Sequence, residues 1–293
     1  MKTILVATDF SPAADNAANF ALHLAKGAGT GLKLCSAFNA PIETPMEAQL
    51  DWPPADYDSL KTKTTENLRL LSEKLTKVEL EGADTRNSMP GIEFISELGP
   101  VYEVITKIVK DQELSFVVMG LRGAGIVSRA VFGSNTHDMI EKASFPVLIV
   151  PANAKFSGLI KIAFATDLSH TDINVLQSLS GLARQFNAEI LVAHVTNEKF
   201  EDYQHQHKVN SFLNDITNKI NYPKIYFRRV KSMDIEHGLG WLSVYGQIDL
   251  LVMVHRKHNV LDEVFEGSHT QKLARHIQIP LLVFPSDYKA AIV

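Results

Sequence analysis

An internal repeat constrains this chain more than any other feature. Residues 2–8, KTILVAT, form a short apolar run that ends at Asp9. Ser11-Pro12 follows, with the N-cap and first-turn chemistry of a helix start. A stripe of Ala14, Ala17, Ala21, Leu24 and Ala25 comes next, closed by Gly27 and Gly29, and then a second run around Leu32, Leu34 and Ser36. From Leu159 the same order returns: an apolar run into Ala165-Thr166-Asp167, then Ser169, a helical stripe and the strand pattern ILVAHVT. Asp167 stands where Asp9 stood, an offset of 167 − 9 = 158. Near the ends, FPVLIVP (145–151) answers IPLLVFP (279–285), an offset of 280 − 146 = 134. The chain is two copies of one unit, and the first copy holds 158 − 134 = 24 extra residues. A period this long means tandem domains rather than a solenoid, with 1–152 and 153–293 as the expected division.

Each copy alternates strand and helix. In the first, the proline-rich stretch from Asn39 to Ala55 reads as an extended loop. Tyr57, Leu60, Thr64, Leu68, Leu71, Leu75 and Val78 then recur at helical spacing, Ile92–Ile95 is a strand, and Val101, Val104, Ile105 and Ile108 mark a helix. In the second, the pattern predicts a helix over 203–220, a strand over 224–230, a helix over 235–245 and a strand over 248–254. Ser169 and Asp172 have the spacing of a capping box. Five strands alternating with helices argue for a parallel sheet covered on both faces.

Chemistry concentrates in MGLRGAGIVSRAVFGSNT, residues 119–136. An apolar strand, Phe116–Met119, runs into Gly120 and Gly123; Gly133-Ser134-Asn135-Thr136 then opens a helix carrying Met139, Ile140 and Ala143. Glycine admits close backbone approach, and a helix N-terminus suits an anion. The spacing is G-x2-G-x9-G-S. A P-loop would need Lys where Asn135 stands, and the Rossmann spacing is absent.

On these residues the chain resembles the universal stress protein family, in its ATP-binding branch, over essentially its whole length and twice over. The resemblance implies an α/β fold of two tandem, doubly wound, parallel five-stranded sheets with strand order 3-2-1-4-5. In that order strands 1 and 4 are neighbours, and a ligand belongs in the crevice beyond their C-terminal ends. Asp9 and Gly120 therefore converge. The implied cofactor is ATP, with or without magnesium, and the implied site is Thr8, Asp9, Ala37, Phe38, Met119, Gly120, Arg122, Gly123, Gly133, Ser134, Asn135 and Thr136. Asp9 would take the nucleoside, Ala37 or Phe38 would lie beside adenine, and Gly133-Ser134-Asn135 would hold the phosphates.

With the 134 offset, Val254 and Lys257 replace Gly120 and Gly123, whereas Gly267, Ser268 and Asp167 match their counterparts. The second copy is therefore expected to be empty of ATP, with another anion at His255, Arg256 and Lys257 as the alternative. Nine of the eleven histidines lie beyond residue 154, but no cysteine or compact acidic cluster stands near them to make a metal site. No catalytic constellation is legible, because ATP hydrolysis would need a placed base and metal-held phosphates.

The expected function is a non-enzymatic, ATP-binding stress-response protein; the alternatives are an ATP-hydrolysing enzyme and a nucleotide-free adaptor. A net charge of −4 without a basic block argues against nucleic acid. Cys35 is the single cysteine, so no internal disulfide can form. No stretch reads as a signal core or membrane span, and the expected location is cytoplasmic. The short apolar strands at 147–150 and 281–284 would be exposed sheet edges unless covered. Single-domain members of the family dimerise through that edge. The two copies are expected to pair through it within one chain, with homodimerisation as a further possibility.

Overall fold

The computed structural model describes residues 2–38, 54–81, 90–112, 114–121, 133–196, 203–256, 277–286 and 288–292. The first half runs β1 (Thr3–Ala7), α1 (Pro12–Ala28), β2 (Gly31–Phe38), α2 (Pro54–Glu81), β3 (Ile92–Leu98), α3 (Val101–Asp111), β4 (Leu114–Leu121), α4 (Ser134–Lys142) and β5 (Val147–Pro151). The second runs β6 (Lys161–Ala165), α5 (Asp172–Phe186), β7 (Glu189–Thr196), α6 (Tyr203–Lys219), β8 (Ile225–Lys231), α7 (Ile235–Tyr245), β9 (Leu250–His255) and β10 (Leu281–Pro285). Pro54 and Ala55, expected in a loop, instead open α2, where a missing N–H costs no helical bond.

The strands form one ten-stranded sheet in the order β3-β2-β1-β4-β5-β10-β9-β6-β7-β8. Each half thus has its strands in the order 3-2-1-4-5, all parallel. Strand pairing reproduces both repeat offsets. Ala7 lies beside Met119 and Ala165 beside Met253, so 165 − 7 = 158 and 253 − 119 = 134.

Helices cover both faces. α1 and α2 share one apolar cluster with α5 and α6, built from residues such as Ala17, Leu71, Leu179 and Phe212. On the other face α3, α4 and α7 bury Ile105, Met139 and Leu242. Among the described residues no helix is long and apolar enough to cross a membrane.

The two halves meet where β5 and β10 run antiparallel, through the pairs Ile149–Leu281, Leu148–Leu282 and Val147–Val283. The edge pairing expected from the sequence is therefore present and short. Prolines bound both strands, and because proline donates no hydrogen bond, buried side chains supply most of the joint. A second contact reinforces it. Phe156, in the connection between halves, packs edge-on against Phe20 of α1 at 5.1 Å and against Phe186 of α5 at 6.1 Å. Gly27 makes room for this packing, since a Cβ there would stand 2.2 Å from the Phe186 ring.

Candidate functional site

β1 and β4 are neighbours, and the helices that follow them leave on opposite faces, so a crevice opens beyond their C-terminal ends. A cavity of about 420 Å³ lies there. Of the residues expected from the sequence, Thr8, Asp9, Ala37, Met119, Gly120, Gly133, Ser134, Asn135 and Thr136 all line it. Arg122 and Gly123 lie outside the described residues. Phe38 is not among the lining residues. Strand alternation sends Cys35 and Ala37 to the cavity side and Phe38 to the other face, where its ring meets Tyr57 of α2 at 6.0 Å.

The cavity has two chemically different ends. Its apolar wall includes Val101 and Ile105 of α3, Cys35, Met119 and Leu121. The sequence reading missed all of these except Met119, although the 3.6-residue stripe of α3 already marked Val101 and Ile105 as inward. Burial pushes the Cys35 thiol up to about 12, so this wall stays uncharged. The polar end consists of Thr8, Asp9 and Ser11 at the start of α1 and the first turn of α4.

A tight turn holds Asp9 in place. Ser11 N donates to Asp9 Oδ1 at 3.0 Å, Phe10 N donates to Thr8 Oγ1 at 3.0 Å, and Phe10 adopts φ 59°. Ser11 then caps α1, accepting from Ala14 N at 3.3 Å. Across the cavity Gly133 is the N-cap of α4 in extended conformation, and among the described residues no side chain caps that helix. The two glycines differ in what their missing Cβ does. At Gly120 a Cβ would lie 2.4 Å from the Ala13 carbonyl oxygen, so this glycine seats the first turn of α1. At Gly133 a Cβ would meet nothing within 4 Å among the described residues. Their packing does not require glycine there, and Gly133 lines the cavity.

The second crevice is built from the same turn but closed from within. Leu168 repeats the left-handed conformation at φ 66°, Ser169 N donates to Asp167 Oδ1 at 3.0 Å, and Leu168 N donates to Thr166 Oγ1 at 2.8 Å. Here Arg256 enters. Its guanidinium spans Asp167 (Nε to Oδ2, 3.0 Å), Thr171 (Nη1 to Oγ1, 3.2 Å) and the buried Asp172. The guanidinium is thus committed to two carboxylates, which leaves it poorly placed for the anion considered from the sequence. His255 turns elsewhere: it is buried, with Nε2 3.3 Å from Glu141 Oε2 on α4. Lys257, His258, Gly267, Ser268 and His269 lie outside the described residues. His194 Nδ1 donates to the Thr166 carbonyl at 2.7 Å, and the ring stacks on His205 with ring centres 5.2 Å apart. Burial lowers the pKa of His194.

The start of α5 also differs from that of α1. By the 158 offset the counterpart of Pro12 is 12 + 158 = 170, yet α5 begins at Asp172. The preceding chain forms successive i to i−3 bonds: Asp172 N to Ser169 O, Ile173 N to His170 O and Asn174 N to Thr171 O, at 3.0, 3.4 and 3.2 Å. The capping box expected from Ser169 and Asp172 does not form. Thr171 is the N-cap without a side-chain bond, and Asp172 turns inward to accept from Thr166 Oγ1 at 2.6 Å.

Burial pushes the Asp172 carboxyl up to about 6, although Thr166 and Arg256 favour its ionised form. A carboxyl raised in the folded state contributes stability that is fully present below its unfolded pKa and lost as pH rises through its folded one. Asp172→Asn is therefore expected to flatten the decline in stability between about pH 4 and pH 6. Urea unfolding at a series of pH values checks this, and an unchanged slope would refute the assignment.

Comparison with known proteins places this architecture. The model of the universal stress protein family matches residues 1–151 and 245–285, more than half of the chain. A universal stress protein of Methanocaldococcus jannaschii is 31% identical over 93 residues, which span 32% of this chain and 54% of that relative. A universal stress protein from Archaeoglobus fulgidus superposes with TM-score 0.72 at 18% identity, covering 97% of this chain and 98% of its own. A functionally unknown protein from Pseudomonas aeruginosa gives TM-score 0.57 at 12% identity, over 98% and 93%. At these identities the two solved structures share the fold alone. The family match, covering the first half completely and returning at the end of the second, agrees with the repeat and the ten-stranded sheet: this chain belongs to the universal stress protein family.

Proposed function

We propose that the chain is a non-enzymatic stress-response protein that holds one adenine nucleotide, ATP, in its first half. The observation that carries this reading is the start of α4 at Gly133, which lines the cavity and where, among the described residues, no side chain caps the helix and an added Cβ would meet nothing within 4 Å. Backbone N–H groups and the helix dipole there suit a phosphate tail. The other lining groups fit the rest of the ligand. Asp9 can accept from a ribose hydroxyl or an adenine amine, and the wall of Ala37, Met119, Val101 and Ile105 offers an apolar surface to the base. Among the described lining residues Asp9 is the one carboxylate, so any accompanying magnesium would be held chiefly by phosphates and water. Among the described lining residues none supplies a base paired with a nucleophile-orienting group, which favours binding over turnover. The second half, with Arg256 across Asp167 and Asp172, serves as a regulatory or structural partner. We divide the halves between 152 and 153, in the connection after β5.

Calorimetric titration with ATP is expected to give one site per chain. Asp9→Ala should weaken that site by about 1.5–3 kcal/mol, the size of a hydrogen bond to a charged group, while Asp167→Ala leaves it unchanged. Gly133→Val should abolish binding with little effect on folding. Two equivalent sites, or equal affinities for the two aspartate variants, would overturn the reading. No binding at all, and no ATP or AMP in heat-denatured protein, would leave the adaptor alternative.

A further inference from the structure

The ten-stranded sheet ends in β3 on one side and β8 on the other. These two strands are counterparts. Leu32 pairs with Ile92 and Ile190 with Ile225, and 190 − 32 = 158 is the repeat offset. Yet their charges have opposite sign. β3, IEFISEL, carries Glu97 and Glu93, the latter paired with Lys33 of β2 at 2.8 Å, and no cation of its own, whereas β8, IYFRRVK, carries Arg228, Arg229 and Lys231 and no carboxylate of its own. Both expose apolar side chains as well: Phe94 at 38%, Leu98 at 43% and Tyr226 at 50%. Among the described residues no strand pairs with the outer side of either.

The faces agree too. Ile95 and Val230 pack against the same apolar cluster, so Glu93 and Glu97 lie on the sheet face that also carries Tyr226 and Arg228. The helix beside β8 is more apolar on its exposed side than its counterpart in the first half. Lys107, Lys110 and Asp111 are exposed on α3. With the 134 offset, their counterparts on α7 are Trp241, Val244 and Tyr245, exposed at 45%, 66% and 67%. Arg228 sits over the Trp241 ring at 5.7 Å.

We propose that the chain self-associates head to tail, the β3 edge of one copy pairing with the β8 edge of the next. β5 and β10 are antiparallel, so β3 and β8 point in opposite directions. A second copy shifted along the sheet therefore brings its β3 antiparallel to the first copy's β8, with matching faces. A charged edge of one sign normally blocks pairing. Opposite signs at the two ends of one chain reject like ends and admit unlike ones. Two β8 edges would set Arg228, Arg229 and Lys231 against themselves, which disfavours a two-fold dimer at this edge. Such a contact is heterologous, so it extends unless it closes into a ring.

Sedimentation velocity over a concentration series tests the proposal. At about 0.01 M salt the mean mass is expected to rise with concentration, and at about 1 M salt, where charges are screened beyond about 3 Å, to fall back. Glu93→Lys with Glu97→Lys makes both edges basic, and Arg228→Glu with Arg229→Glu makes both acidic. Each variant alone should stay monomeric, and an equimolar mixture should associate again. Circular dichroism confirms that both variants are folded. Wild type that remains monomeric throughout, association that survives either reversal, or a folded mixture that fails to associate would each overturn the proposal.

Discussion

Leu148→Asp is expected to pull the two halves of the sheet apart and leave the chain unfolded or aggregated at ambient temperature. Leu148 is 1% exposed and faces Leu282, also 1% exposed, in the middle of the antiparallel joint. A carboxylate there would be buried without a partner, at a cost of about 3–5 kcal/mol. That is a large part of the about 5–15 kcal/mol that holds an ordinary domain together. The joint has little backbone redundancy, because it comprises three residue pairs between proline-bounded strands. Urea unfolding read with sedimentation checks the result; a loss below about 0.5 kcal/mol, the range of ordinary surface changes, would show that the halves are held elsewhere. By the same logic each half expressed alone has a bare β5 or β10 and is expected to cover it by homodimerising. Isolated halves that stay monomeric at high concentration would contradict this.

Gly120→Val should damage both folding and the cavity. The new Cβ would stand 2.4, 2.5 and 2.8 Å from backbone atoms of Ala13 and Ala14, and backbone cannot swing away as a side-chain tip can. Overpacking of this kind costs about 1–3 kcal/mol, and the first turn of α1 must shift, carrying Ser11 and Asp9 with it. In the second half, where Val254 stands at this position, α5 starts at Asp172, two residues after the position that matches Pro12. The expected readout is a lower unfolding midpoint together with lost ATP binding. Gly133→Val, by contrast, should lose binding with the midpoint nearly kept. If Gly120→Val kept both midpoint and affinity, the packing role of Gly120 would be wrong.

The fold was legible because two independent signals coincide. Strand and helix periods alternate, and they do so twice at fixed offsets, so each half checks the other. The site was legible where it depends on backbone position: Asp9 at the end of β1 and Gly133 at the start of α4 follow from topology alone. It was not legible where side chains choose among neighbours. Phe38 could have been excluded by counting strand alternation from Cys35. Gly120 could not be assigned, because a glycine that seats a helix and one that admits a ligand look identical in one dimension. Arg256 was hidden for a similar reason. Its partners Asp167 and Asp172 are five residues apart across a turn that sequence reading took for a capping box, and only the folded chain brings all three together.

The turn after β1 has a counterpart after β6 that clarifies its purpose. Phe10 and Leu168 both adopt left-handed backbone at φ 59° and 66°, a conformation side chains resist, and each turn is stitched by the same threonine and aspartate bonds. The second turn keeps this shape although an arginine of its own chain occupies the crevice. The left-handed residue therefore goes with launching a helix from a strand in both halves. Asp9 is held by its own turn, so a ligand that bonds it would be spared the entropy of arranging it.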